Sequence, residues 1–211
     1  MVTVVAEPRS KALRKGLRLE VFTVGWNAVE AIVAITAGAL AGSVALVGFG
    51  LDSVIESVSG VALYHRLRGE LRGDDARNEA REKRALLFVG VSFFLIGAYV
   101  LYEALTSLWR REVPEHSTVG IVLAVASLII MPLLGWMKLQ TGRELQSRAL
   151  VADAKETFVC AYLSLALLLG LGFNALFGWW WADPVAGMAM LPLIFHEGWE
   201  TVEESREDDD D

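Results

Sequence analysis

The amino-acid sequence predicts an all-α, polytopic membrane protein with six transmembrane helices and cytoplasmic N- and C-termini, on three observations. The first is composition: 54% of the 211 residues are hydrophobic and the mean hydropathy is +0.43, where soluble domains carry an apolar share nearer ~45–50%. The second is spacing. Six apolar runs fall near 19–41, 43–64, 85–108, 117–138, 149–173 and 182–199, each close to the ~20 residues a helix needs to cross a hydrocarbon core. The third is the alternation of basic charge between connections, which sets the orientation.

The chain opens on a basic segment, residues 1–18, with Arg9, Lys11, Arg14, Lys15 and Arg18. The first apolar run begins only after this stretch and is long enough to span, so a cleavable signal peptide is not expected. The first and fifth connections carry no Lys or Arg. The second carries Arg66, Arg68, Arg72, Arg77, Arg81, Lys83 and Arg84, and the fourth Lys138, Arg143 and Arg148. The third has only Arg110 and Arg111, offset by Glu112 and Glu115. Basic connections stay in the cytoplasm, which places both termini there; the plasma (inner) membrane is the expected location.

The second connection reads as an ordinary positive-inside linker, with a helical extension of its flanking spans as the alternative. The sixth run is short and contains Pro192, so its inner end is the least well marked. Trp179, Trp180 and Trp181, with Trp109, suit an aromatic belt at the outer interface. Residues 19–199 thus form the transmembrane domain, and 200–211 an acidic cytoplasmic tail. Seven of the last eleven residues are acidic, which predicts a solvated, disordered end.

A net charge of −7 argues against nucleic acid as a partner. Phosphate-loop, nucleophile-elbow and HExxH patterns are lacking, so no catalytic residue, enzyme activity or organic cofactor is expected. The single cysteine, Cys160, rules out an internal disulfide.

Function is written in the acidic residues at membrane depth. Asp52 and Glu56 stand one helical turn apart on one face of span two. Two carboxylates within lipid require a cation, protons or partners. They form either an ion site or interhelical hydrogen-bonding glue. Span five repeats the pattern: Asp153, Glu156, Thr157, Cys160 and Ser164 recur at three- and four-residue intervals. At ~1.5 Å per residue, Asp52 and Cys160 reach the midplane from opposite sides, with Glu56 and Glu156 about a turn nearer the cytoplasm.

Asp52, Glu56, Glu156 and Cys160 are therefore the expected ligands of a four-coordinate divalent ion. The thiol pulls toward Zn²⁺, Cd²⁺ or Co²⁺, and the oxygens toward harder ions such as Mn²⁺. Cys160 reads equally as a small buried packing residue. Glu30 and Asn27 of span one reach the same layer and are a possible accessory metal or proton site. Asp153 belongs to that accessory set, as a cap or an access ligand. Lys155 points away from the polar face and reaches the inner surface by snorkelling. His196 and Glu200 have metal-ligand spacing but read better as an interfacial helix end.

The combination of six spans with G-S-V-A-L-V-G-F-G-L-D52-S-V-I-E56-S, A-D153-A-K-E156-T-F-V-C160 and G178-W-W-W-A-D183-P184 resembles the cation diffusion facilitator (cation efflux) family. The resemblance covers essentially the whole transmembrane part. It implies export of Zn²⁺ or a related divalent ion (Mn²⁺, Co²⁺, Cd²⁺ or Fe²⁺) from the cytosol in exchange for protons, by a homodimer with alternating access. The family's site takes a DxxxD pair on span two and an HxxxD pair on span five. Asp52 and Glu56 match the first; Glu156 and Cys160 match the second, as ExxxC. A competing register would use Asp153 and Thr157. The chain also reads as a short form lacking the family's cytoplasmic C-terminal domain. These two departures motivate an alternative reading, a non-transporting scaffold or regulator that pairs with another membrane protein.

Overall fold

A computed structural model describes residues 7–72 and 79–207. Its elements are six α-helices, α1 (Glu7–Ala41), α2 (Val44–Arg72), α3 (Glu79–Arg110), α4 (Thr118–Leu145), α5 (Arg148–Phe177) and α6 (Ala182–Glu207). The described residues contain no strand, and the all-helical polytopic membrane fold holds. Five of the helices, α1 to α5, are long and apolar enough to cross a membrane. In α6 the two prolines, Asp183, His196 and Glu197 dilute the apolar run, although the helix is as long as its neighbours need.

Every helix outruns its apolar core. The basic start of the chain is already helical from Glu7, and α2 continues through its basic end to Arg72. The second connection is therefore largely helical extension, with residues 73–78 outside those described. Likewise α6 runs through Pro192 to Glu207, so the first part of the expected acidic tail continues the helix and Thr201 is buried; the last four residues lie outside the description. Backbone hydrogen bonding in lipid has no substitute, so once a helix is threaded it carries past the hydrophobic boundary before fraying.

The turns follow local chemistry. Ser117 and Ser147 cap α4 and α5 by accepting from the backbone N–H of Gly120 and Leu150. Gly42, at φ 65°, supplies the left-handed residue in the tight turn between α1 and α2.

The helices pair as α1 with α2, α4 with α5 and α3 with α6. Contacts of α1 with α4 and of α2 with α5 close a four-helix ring, on which the α3–α6 pair packs through α2 and α5. The apolar core centres on Leu46, Phe49, Met131, Leu163, Leu167 and Met190. Apolar side chains on the outer faces, Phe22, Ile32, Leu95, Val122 and Ile129 among them, are exposed and suit lipid contact.

Small residues let these helices approach closely. At Gly170 an added Cβ would stand 2.5 Å from the Ala186 methyl carbon and 3.2 Å from the Ala182 carbonyl oxygen. Gly170→Leu is expected to pry α6 from α5 and cost at least about 1–3 kcal/mol, readable as a lower unfolding temperature of the purified protein.

At the end of the bundle where α1 turns into α2, Asp183 of α6 caps α2 from outside its own helix. Its Oδ1 accepts from Ser43 Oγ at 2.5 Å and its Oδ2 from the Val44 backbone N–H at 2.8 Å. This is the structural work of the W-A-D-P stretch: it satisfies an orphan N-terminal donor and ties α6 to the turn between α1 and α2. Beside it, Asn174 Nδ2 donates to the Pro114 carbonyl at 3.0 Å. Asp183→Ala leaves buried donors unpaired and is expected to cost about 1–3 kcal/mol, checked by thermal unfolding and by faster amide exchange at Val44.

Candidate metal site

The ring of α1, α2, α4 and α5 encloses a file of polar side chains. At its centre, Asp52 and Glu56 from α2 and Cys160 from α5 bring one ligand atom each within 4.8 Å of one another. All three are buried, with Cys160 at 1% exposure and the carboxylates at 8% and 6%. Their convergence follows from helix geometry: Asp52 and Glu56 share a face because they are i,i+4, and the antiparallel α5 presents Cys160 at the same depth.

Glu56 carries the most chemical consequence, because both of its carboxylate oxygens are buried and accept no hydrogen bond of ordinary geometry, with the Cys160 thiol and the Asn27 amide facing them. Native proteins rarely leave buried polar atoms unpaired. A carboxylate in that condition calls for a cation or a proton.

Glu156, the fourth expected ligand, stands outside this triad. It accepts at 3.4 Å from Ser59 Oγ, one turn beyond Glu56 on α2, and is partly exposed. It therefore borders the triad on the side of the α2 C-terminus. Glu30 is held by three neutral donors: Trp26 Nε1 at 2.7 Å, Ser53 Oγ at 3.4 Å and a close contact from Ser127 Oγ. Since Ser53 adjoins Asp52, Glu30 links α1 and α4 to the turn of α2 that carries Asp52. Asn27, one turn from Glu30, is fully buried and faces Glu56, with neither amide atom in a hydrogen bond of ordinary geometry.

Asp153 and Thr157 face a different partner. Lys138 of α4 donates to Asp153 Oδ2 at 2.5 Å, to Thr157 Oγ1 at 3.4 Å and to Glu20 Oε2 of α1 at 3.4 Å, and lies 3.3 Å from Glu20 Oε1. The competing register on α5 is thus turned toward an ammonium rather than toward Asp52 and Glu56. Lys138 also corrects the placement of that residue in a cytoplasmic connection. It is fully buried, seven residues before the end of α4 at Leu145.

Glu20 and Lys138 escaped the sequence reading because each sits where an apolar run meets its basic flank. The available signal was phase: Glu20 precedes Asn27 by seven residues and Lys138 follows Ser127 by eleven, spacings that return to one helix face. Lys155 is exposed, as its position on the opposite face requires. His196 Nε2 and Glu200 Oε2 are 3.8 Å apart at 67% and 59% side-chain exposure, the geometry of a solvated helix end.

Fold and site together define an integral multi-pass membrane protein with a buried cluster of two carboxyl groups and a thiol close enough together to hold a metal ion. The family model described as the cation efflux transmembrane domain matches residues 21–208, and the chain belongs to that family. Among curated proteins it is similar to an uncharacterized transporter of Synechocystis sp., 23% identical over 72% of this chain and 50% of the relative. Transmembrane protein 163 of Xenopus laevis is 27% identical over 74% and 54%, respectively. The cadmium, cobalt and zinc/H(+)-K(+) antiporter of Bacillus subtilis is 24% identical over 86% and 58%. The chain spans about half the length of the curated relatives it matches.

Proposed function

We propose that this protein carries a divalent transition-metal ion across the membrane, Zn²⁺ foremost, out of the cytosol and in exchange for protons. Asp52, Glu56 and Cys160 ligate the ion, and Glu156 completes the set from the cytoplasmic side. The observation that carries this reading is the triad itself: three ligand atoms within 4.8 Å, all buried, with neither oxygen of Glu56 in a hydrogen bond of ordinary geometry. The similarity to a cadmium, cobalt and zinc/H(+)-K(+) antiporter of Bacillus subtilis supports the choice of ion class.

The chemistry of exchange follows from the ligands. A metal displaces protons from carboxyl and thiol groups, and reprotonation on the far side weakens the site and releases the ion. Glu30, bound by hydroxyl and indole donors that serve it in either protonation state, is suited to hold a proton beside Asp52. Alternating access arises by rocking the ring of α1, α2, α4 and α5 against the α3–α6 pair. A homodimer in the bilayer is the working assembly.

The decisive test is flux into proteoliposomes with Zn²⁺, Cd²⁺, Co²⁺ and Mn²⁺ under an imposed pH gradient. Transport of at least one ion that collapses the gradient is expected. No flux of any of them, with intact protein in the vesicles, sinks the reading and returns the chain to the scaffold class. Within that assay, Cys160→Ser replaces a soft donor with a hard one. The ratio of Cd²⁺ to Mn²⁺ transport should fall by about tenfold, the order of a single donor exchange; an unchanged ratio makes Cys160 a packing residue.

A further inference from the structure

Toward the cytoplasm from the triad, the polar file contains a second acidic cluster. Asp153 precedes Cys160 by seven residues on α5, and Glu20 precedes Asn27 by seven on α1, so both lie on the inward faces about 10 Å below the ligand layer. Glu20, Thr157 and Lys138 are fully buried and Asp153 is 6% exposed. Between them sits the Lys138 ammonium, 2.5 Å from Asp153 Oδ2, 3.3 Å from Glu20 Oε1 and 3.4 Å from Thr157 Oγ1.

This arrangement has the donor set of a hard-cation site. Two carboxylates and a hydroxyl, all oxygen, converge on one point occupied by a positive charge. The occupant is a poor match in one respect. Glu20 is held only at long range, its Oε2 accepting from the ammonium at 3.4 Å and its buried Oε1 standing 3.3 Å away without a hydrogen bond, against 2.5 Å for Asp153 Oδ2. One ammonium also carries a single charge against two carboxylates, whereas a dication would balance both.

We propose that Glu20, Asp153 and Thr157 form a second cation site, which the chain fills with its own Lys138 ammonium. When that side chain is shortened, the site takes a hard divalent ion from solution. In the intact protein the tethered charge denies a dication this resting place in the cytoplasmic half of the bundle. The triad is left as the place where such an ion is held. The proposal stands apart from the transport reading, because none of the triad's residues takes part in it.

The test counts bound Mn²⁺ per chain by equilibrium dialysis of the purified full-length protein in detergent. The parents are wild type and Asp52→Asn, so that ions held by the triad are scored separately. Lys138→Ala is expected to bind one Mn²⁺ more than its parent in both backgrounds, and Lys138→Ala with Asp153→Asn to lose that gain. An unchanged count in Lys138→Ala overturns the proposal, as does a gain that survives Asp153→Asn. Should Lys138→Ala fail to fold, Lys138→Gln carries the comparison through unfolding temperature. Added Mn²⁺ should raise it for Lys138→Gln and not for Lys138→Gln with Asp153→Asn. Equal response of the two overturns the proposal.

Discussion

Asp52→Asn and Glu56→Gln are each expected to cut metal flux through proteoliposomes by more than about 10–100-fold. That range is what loss of a mere outer-sphere partner costs a metal site, and these side chains are direct ligands in the proposed site. Neither substitution changes side-chain volume appreciably, so packing around Phe49 and Leu163 is preserved. What disappears is one negative donor from a group of three.

Glu56→Gln makes the sharper case. Neither Glu56 oxygen accepts a hydrogen bond of ordinary geometry, although the Cys160 thiol and the Asn27 amide face it, so neutralising the side chain costs little internal bonding. The ion-free variant should therefore unfold at a temperature equal to or above that of wild type. Stabilisation by added Zn²⁺ or Cd²⁺, about 2.7 kcal/mol at a hundredfold excess over the dissociation constant, should vanish. A structural carboxylate would behave in the opposite way, losing stability on substitution while keeping flux. Parallel measurement of unfolding and transport on one preparation separates the two.

How much of this was written in the sequence depends on which physical signal each residue obeys. The bundle was legible because a hydrocarbon solvent tolerates few alternatives: apolar runs of the right length become helices. The triad was legible for a related reason. Asp52 and Glu56 interrupt an apolar run where charge is costly, and their spacing fixes a shared face. Depth counted along α5 then placed Cys160 beside them.

Helix ends were less legible, since the hydrophobic boundary marks where the membrane stops and not where the backbone stops hydrogen bonding; α1 and α6 both run past it. Asp183 was visible as part of a motif, but its role needed coordinates. It caps a helix more than a hundred residues away in the chain, and no local pattern encodes such a contact. Glu20 and Lys138 were hidden by the same rule that oriented the protein. Charges near a span's edge are read as solvated flanks, and only the pairing across three helices shows that they are inside.

Lys138→Met should be among the most destabilising single substitutions in the chain, at about 3–5 kcal/mol in the absence of divalent ions, the usual cost of removing one partner from a buried ion pair. The size follows from what remains: Glu20 and Asp153, both buried, facing each other across a vacated cation position. Asp153→Asn should cost less, because Lys138 keeps Glu20 as a counter-charge and the amide oxygen can still accept from the ammonium. The neutral triple variant Glu20→Gln, Lys138→Met, Asp153→Asn should recover most of the loss, since no uncompensated charge is then left in the bundle. Chemical or thermal unfolding of the four proteins yields the ordering directly. If Lys138→Met and the triple variant are equally unstable, the cost lies in packing of the lysine stem between α1, α4 and α5. Recovery in the triple variant locates it in charge, and explains why a cation is retained so deep in the fold.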